Sequence, residues 1–314
     1  MAENLYSECH MKLGLVCISE ILKKRDKSLA FKTMTRKRFL ELGREFALVE
    51  LSSRILHNCL LTKQIILHCA ANGISHYRIS SSLAPLITDS TLNISYDDLP
   101  DMPAITSTLS DVGTTAQRCG ISVSSHPDQF NVLASYSANV VERSIKELNH
   151  QAYILDLMKL PQNYSASMCL HLNLSPDFNR ETLSSYIDRF ISALFSCSPS
   201  VQNRIVLENE HGGYWNCKNL YESFGKLIPL VFDNLHDAIN SSGINQYSLL
   251  KLFKSTWGSY VPVMHWSEGL PDKPRSHAEF ASHIPAVVSM NKDCVWEFEL
   301  KGKDLAILQV LSSQ

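Results

Sequence analysis

The chain has 314 residues, 45% apolar and 19% charged, with a formal charge of −2. That balance supplies a globular core and excludes a protein that binds nucleic acid through overall basicity; such affinity needs a local patch or bound metal. The nine cysteines fall singly with no C-x-x-C pair, which points to reduced thiols in a cytosolic-type compartment, and no apolar run suits a signal core or a membrane span.

Residues 1–11 read as a short extension. Residues 13–18, LGLVCI, form the first buried strand. Next comes 23–38, KKRDKSLAFKTMTRKR, rich in Lys and Arg and without apolar periodicity. It reads as a solvated loop, or as a loop gripping phosphates through Lys23, Lys24, Arg25, Arg36, Lys37 and Arg38. Helical spacing holds over 39–71, through Leu40, Phe46, Leu48, Ile55, Leu56, Leu60, Ile65, Ile66 and Cys69, with Asn72-Gly73 as its stop. The second strand is 75–79. A helix starts between Pro100 and Pro103 and ends before Gly120.

The third strand, 121–125, runs straight into His126, and a helix covers 137–158. The fourth, 166–170, ends at His171 and precedes a helix over 180–195. The fifth, 204–207, is followed by Glu208 and a helix over 218–226. The sixth, 228–232, leads to Asp233 and His236, then a helix over 247–254. The seventh, 260–264, is followed by His265 and a short helix near 277–283. The eighth, 294–300, precedes a last helix from Asp304. Eight strand–helix alternations with no break in composition predict a single-domain α/β protein, a (β/α)8 TIM barrel over 12–314.

The chemistry-bearing residues cluster at the ends of these strands. Asp233 and His236, three apart, suit one cation, or else an N-cap and a packed imidazole. In the eighth strand Trp296, Phe298 and Leu300 alternate with Glu297 and Glu299, so the carboxylates share the face opposite the aromatics. A barrel gathers all these ends on one rim. No Lys or Arg close in sequence pairs them, so divalent cations are expected to. Imidazole and carboxylate together suit Mn, Zn or Fe rather than Ca, and the donors suffice for two or three ions. Clustered ions activate water and clamp both oxygens of a phosphodiester displacement.

In this order and spacing, the segments HYRISSSLAPL, SSHPDQF, VLENE, VFDNLHDAIN, KPRSHAEF and EFELKGKD resemble the ultraviolet-damage endonucleases. These are metal-dependent barrel enzymes related in architecture to endonuclease IV, and the resemblance covers about 13–303. It implies a nick immediately 5′ to ultraviolet photoproducts in double-stranded DNA, made with two or three divalent ions, usually manganese. It assigns His126, His171, Glu208, Asp233, His236, His265, His277 and Glu299 to metal, with Glu208, Glu299 and His265 nearest the chemistry. It makes Gln129 and Phe130 a pair of probes that wedge into the duplex opposite the lesion; the family prefers Tyr at the second place. Photoproducts weaken stacking, which lowers the cost of kinking there. Three departures stand out. Asp89 occupies the place of a metal-binding His, where it is either an oxygen donor to metal or a plain loop acid. Val263 replaces a Lys that some members carry modified. Leu15 and Ser19 stand where the family has an aromatic residue and an Asn. The rivals are an abasic-site endonuclease or sugar isomerase on the same rim, and a damage-binding protein without activity. A monomer is expected, without a membrane partner, in the cytoplasm beside the nucleoid if the source is prokaryotic.

Overall fold

The structure is a computed structural model that describes residues 11–312. The expected extension therefore lies, apart from Met11, outside the described residues. In chain order the elements begin with β1 (Lys12–Val16), α1 (Glu20–Arg25), α2 (Arg36–Leu42), α3 (Arg44–Ala71), β2 (His76–Arg78) and α4 (Met102–Arg118). There follow β3 (Ser122–Ser124), α5 (Ala138–Leu157), β4 (Met168–Leu170), α6 (Leu183–Phe195), α7 (Pro199–Gln202), β5 (Ile205–Glu208) and α8 (Cys217–Phe224). The remainder are β6 (Leu230–Val231), α9 (Asn234–Ile239), α10 (Gln246–Ser255), β7 (Val263–Trp266), β8 (Gly269–Leu270), β9 (Lys273–His277), α11 (Ala286–Ser289), β10 (Val295–Phe298) and α12 (Asp304–Leu311).

Parallel pairing runs β3-β2-β1-β10-β7 in one sheet and β4-β5-β6 in another. Two parallel bridges join them, Ser125 with Met168 and Asp233 with His265. The circuit therefore closes into the expected eight-stranded barrel with helices outside, as a closed parallel sheet buries both faces. The antiparallel hairpin β8–β9 is an insertion after β7.

Period two assigns the faces. Leu13, Leu15, Tyr77, Val123, Trp296 and Phe298 are buried beneath the helices, and the Trp266 and Phe298 rings lie 4.5 Å apart. The alternate residues enter the barrel. His76 sits between Ser122 Oγ, 2.7 Å from Nδ1, and Ser124 Oγ, 2.9 Å from Nε2, with Glu297 Oε1 at 3.0 Å. Gly14 faces this imidazole; a Cβ there would come within 2.9 Å of His76 Cδ2. This part of the interior is thus polar, where many barrels stack branched apolar side chains.

Three local expectations are corrected. The basic stretch is not one loop. Ser19 Oγ accepts from Leu22 N–H and Thr35 Oγ1 from Arg38 N–H, capping α1 and α2. The helix expected over 39–71 is divided at Gly43, whose φ of 73° breaks the spiral between α2 and α3. Residues 273–277 form strand β9, not the start of a helix near 277–283.

Candidate metal centre

Glu208 ends β5 at the centre of the rim and is 1% exposed. Its Oε2 lies 3.0 Å from His126 Nε2 and 3.4 Å from His171 Nε2. Its Oε1 lies 3.1 Å from His236 Nδ1 and 3.1 Å from His265 Nδ1. Four imidazoles from four strand ends thus converge on one carboxylate. Glu299, just past β10, adds Oε1 3.7 Å from His265 Nδ1.

Asp233 serves two ends. Its Oδ1 accepts the His236 N–H at 2.7 Å, capping α9, while the buried Oδ2 has no hydrogen-bond partner. The cap reading and the rim reading of this pair therefore both describe the geometry. Asn209 locks the turn, accepting from Asp233 N–H at 2.8 Å and donating to Asp233 O at 3.1 Å. His126 Nδ1 is 2.9 Å from Pro127 O, which turns Nε2 toward the cluster.

Donor atoms of His126, Cys169, Glu208 and His265 lie within 4.8 Å of one another, as do those of Glu208, Asp233 and His236, and those of Asp233, His265 and Glu299. Glu208, Asp233 and His265 each belong to two groups, so the three positions form a linked chain. The residues fit metal on a further ground. His171 Nδ1 and Asp233 Oδ2 are buried without a hydrogen bond. Such atoms are costly unless a ligand satisfies them.

The electrostatics agree. Burial pushes Glu208 up, but His265 and His171 outweigh it and hold the carboxyl well below the usual range. Burial pushes His171 down to about 4 against the pull of Glu208, so its ring is neutral at pH 7 and able to ligate. Burial opposes charging of His236, yet Asp233 and Glu208 lift it to about 10. A proton on that ring competes directly with a cation.

The expected ligands do not all lie together. His126, His171, His236, His277 and Glu299 line one cleft of about 440 Å³, with Glu208, Asp233 and His265 buried beneath. His277 is peripheral: Nδ1 contacts the Glu299 backbone carbonyl and stays 4.0 Å from its carboxylate. Asp89 stands apart. Its Oδ2 accepts from Arg36 Nε at 2.7 Å and its Oδ1 from Thr91, in a neighbouring cleft of about 870 Å³. That position does not support a ligand role. Leu15 packs in the core and Ser19 caps α1, so neither faces the cleft; Cys17 does.

Gln129 and Phe130 line both clefts and so form the ridge between them. Phe130 is 77% exposed, held by an Asx turn in which Asp128 Oδ1 accepts its N–H at 2.9 Å. The basic residues are partly neutralised by acids, two within one helical turn and two farther along the chain. Arg36 meets Asp89, Arg38 meets Glu50 at 3.1 Å, Lys37 meets Glu41 at 3.8 Å and Lys23 meets Glu20 at 3.2 Å. Lys24 and Arg25 make no ion pair among the described residues.

Sequence reasoning missed Arg78, which enters the rim from β2 and contacts Glu297 at 2.9 Å and Glu299 more closely. The expectation concerned Lys and Arg close in sequence; Arg78 pairs two of the rim acids from more than two hundred residues away. The signal was present: alternation in HYR sets His76 and Arg78 on one face, opposite Tyr77. Cys169, Glu210 and His211 were also missed. Burial raises the Glu210 carboxyl to about 7.

Comparison with known proteins places this geometry. A profile of the family described as UV-endonuclease UvdE matches residues 11–314. The chain belongs to the UvdE family of ultraviolet endonucleases. A UV DNA damage endonuclease of Nostoc sp. is 30% identical over 96% of this chain and 89% of its own length. One from Bacillus cereus is 25% identical over 89% and 88%. The crystal structure of SacUVDE superposes with a TM-score of 0.78 at 28% identity, covering 97% of this chain and 99% of that one. A 3-keto-D-glucoside 4-epimerase from E. coli, at 10% identity and a TM-score of 0.54, covers 97% and 98% and shares the fold alone. Among the described residues no helix is long and apolar enough to cross a membrane.

Proposed function

We propose that this UvdE-family chain is a DNA-repair endonuclease that uses divalent ions to hydrolyse the phosphodiester immediately 5′ to ultraviolet photoproducts. The observation that carries the reading is the convergence of three imidazoles and three carboxylates on linked donor groups, with His171 beside Glu208, beneath a cleft edged by an exposed aromatic residue. Glu208, Asp233 and His265 would be shared ligands, with His126, His171, His236 and Glu299 completing them and His277 at the margin. These donors would hold two or three ions, and manganese would suit their mixed character. When bound, such ions lower the pKa of water and offset charge on the attacking and leaving oxygens.

The chain's own residues bind and orient. His126 presents Nε2 because Pro127 O engages Nδ1. Asn209 fixes the Asp233 turn. Gln129 and Phe130 would enter the duplex opposite the lesion, where weakened stacking lowers the cost of a kink. Lys24 and Arg25, and the paired Lys23, Arg36, Lys37 and Arg38, would add phosphate contacts. The epimerase likeness favours no rival, since fold alone carries no activity.

The test is incubation of a duplex bearing one defined photoproduct, and of one bearing one abasic site, with Mn2+ and with chelator. A nick beside the photoproduct, abolished by chelator, is expected. Cutting only at the abasic site supports the abasic-site alternative, and tight binding without a nick supports a damage-binding protein.

A further inference from the structure

Arg78 belongs to none of the ligand groups, yet it lines the cleft with His126, His171, His236 and Glu299. It is only 8% exposed. Its position is fixed from both sides: β2 pairs with β1 and β3, and Arg78 O accepts from Cys17 N–H at 3.0 Å. Cys17 itself turns at φ 67°, which brings that loop against the same cleft.

The guanidinium is used on one edge only. Nη1 donates to Glu297 Oε2 at 2.9 Å and to Glu299 Oε1. Nε is buried and has no hydrogen-bond partner, and Nη2 makes no hydrogen bond among the described residues. Nη2 is not buried, so it is the guanidinium nitrogen open to the cleft, and the two acids on Nη1 leave it unused. A guanidinium N–H is a charge-assisted donor suited to a phosphate oxygen.

Charge selects the same ligand. Among the described residues lining this cleft, Arg78 is the single Lys or Arg. The carboxylates of Glu208, Asp233, Glu297 and Glu299 beneath it repel a phosphodiester, and metal ions bound there would be largely neutralised by those acids. A permanent cation at the cleft supplies attraction that neither proton nor metal occupancy can remove.

We propose that Arg78 binds the DNA backbone: the free Nη2 donates to a non-bridging oxygen of a phosphate in the strand lying over the metal ligands. This rests on the endonuclease reading of the cleft. It adds to that reading a residue with two duties, holding Glu299 in place through Nη1 and the substrate phosphate through Nη2.

The probe is inorganic phosphate, added to the full-length protein loaded with diamagnetic Zn2+. The arginine Nε–H resonances are followed, and the Arg78 signal is identified by its loss in Arg78→Lys. That signal is expected to move on titration. Arg78→Lys keeps a charge for Glu297 and Glu299, so zinc content and melting temperature stay close to wild type while phosphate affinity drops at least about tenfold. On a photoproduct duplex with Mn2+, kcat of this variant falls about a hundredfold, the scale of losing one donor to a reacting anion.

A static Arg78 resonance while phosphate binds, no phosphate binding at all, or unchanged affinity in Arg78→Lys overturns the proposal. Loss of zinc with unchanged phosphate affinity per loaded site also overturns it and leaves Arg78 a support for Glu299. The phosphate arm needs no cleavage, so it separates failure of this inference from failure of the lesion reading.

Discussion

Four imidazoles share the two oxygens of Glu208, and that sharing sets the most direct prediction at the residue scale. In Glu208→Gln an amide nitrogen replaces one acceptor and the negative charge is lost. Elemental analysis of the purified variant is expected to show at least one ion fewer per chain. Photoproduct cleavage should drop more than a hundredfold, beyond the roughly 10–100-fold typical of residues that merely support a ligand. Unchanged metal content would count against the whole centre. Phe130 makes a separable prediction, because it is exposed on the ridge and carries no metal-binding atom. Phe130→Ala should leave metal content intact and weaken binding to a lesion duplex by about 1–3 kcal/mol, one stacked base, by fluorescence anisotropy. Phe130→Tyr keeps the stacking face and should bind like wild type. Most of these side chains were legible because each follows an apolar run in the sequence. Arg78 was not, because its partners Glu297 and Glu299 lie more than two hundred residues away. Asp89 stayed open between ligand and loop acid for the same reason: its partner Arg36, 53 residues away, engages the carboxylate in the neighbouring cleft.

At the scale of elements, the strands and long helices were readable since period two and period 3.6 each span enough residues to register. The short pieces were not. α1 has six residues and one buried side chain, so no apolar pattern announces it. Its position depends on a contact with the other end of the chain. Asp304, at the start of α12, accepts from Ser19 Oγ and from Glu20 N–H at 2.8 Å, with His68 Nε2 3.0 Å away. Asp304→Asn removes the charge from this buried cluster and is expected to cost about 1–3 kcal/mol, seen as a lower melting temperature at pH 7. The pH dependence follows. Burial pushes Asp304 up, but the hydrogen bonds from His68, Ser19 and the Glu20 and Ile21 amides hold it below 3.8. A depressed carboxylate stabilises the fold fully above its unfolded pKa and loses that contribution as pH falls through the folded value. The gap between wild type and Asp304→Asn should therefore be constant near neutrality and narrow below about pH 4. A gap that persists in acid would show that Asp304 acts through packing alone. The hairpin β8–β9 escaped notice because KPRSH shows no apolar alternation; four of its five residues are polar or charged.

For the molecule as a whole, the barrel concentrates cost and function in one place. Strands β5, β6, β7 and β10 all deliver acids or imidazoles to the same rim, and the inner polar layer of His76, Ser124 and Glu297 continues the network below it. An apolar barrel interior would add stability there, so this fold gives some up, and cations that bind only the folded rim should restore it. By mass action, ions at a hundred times their dissociation constant add about 2.7 kcal/mol per site. For a domain of this size that corresponds to a rise in melting temperature on the order of 5 °C. Thermal unfolding is therefore expected to shift upward with Mn2+, return with chelator, and respond much less in Glu208→Gln. The shift should also shrink from pH 8 to pH 6 as protons compete for the imidazoles, among them His236 and His265, where neighbouring acids favour the protonated ring. Melting curves that coincide with and without Mn2+ at pH 8 would mean that these donors stabilise one another unaided, and the reason for their convergence would have to be sought in the fold itself.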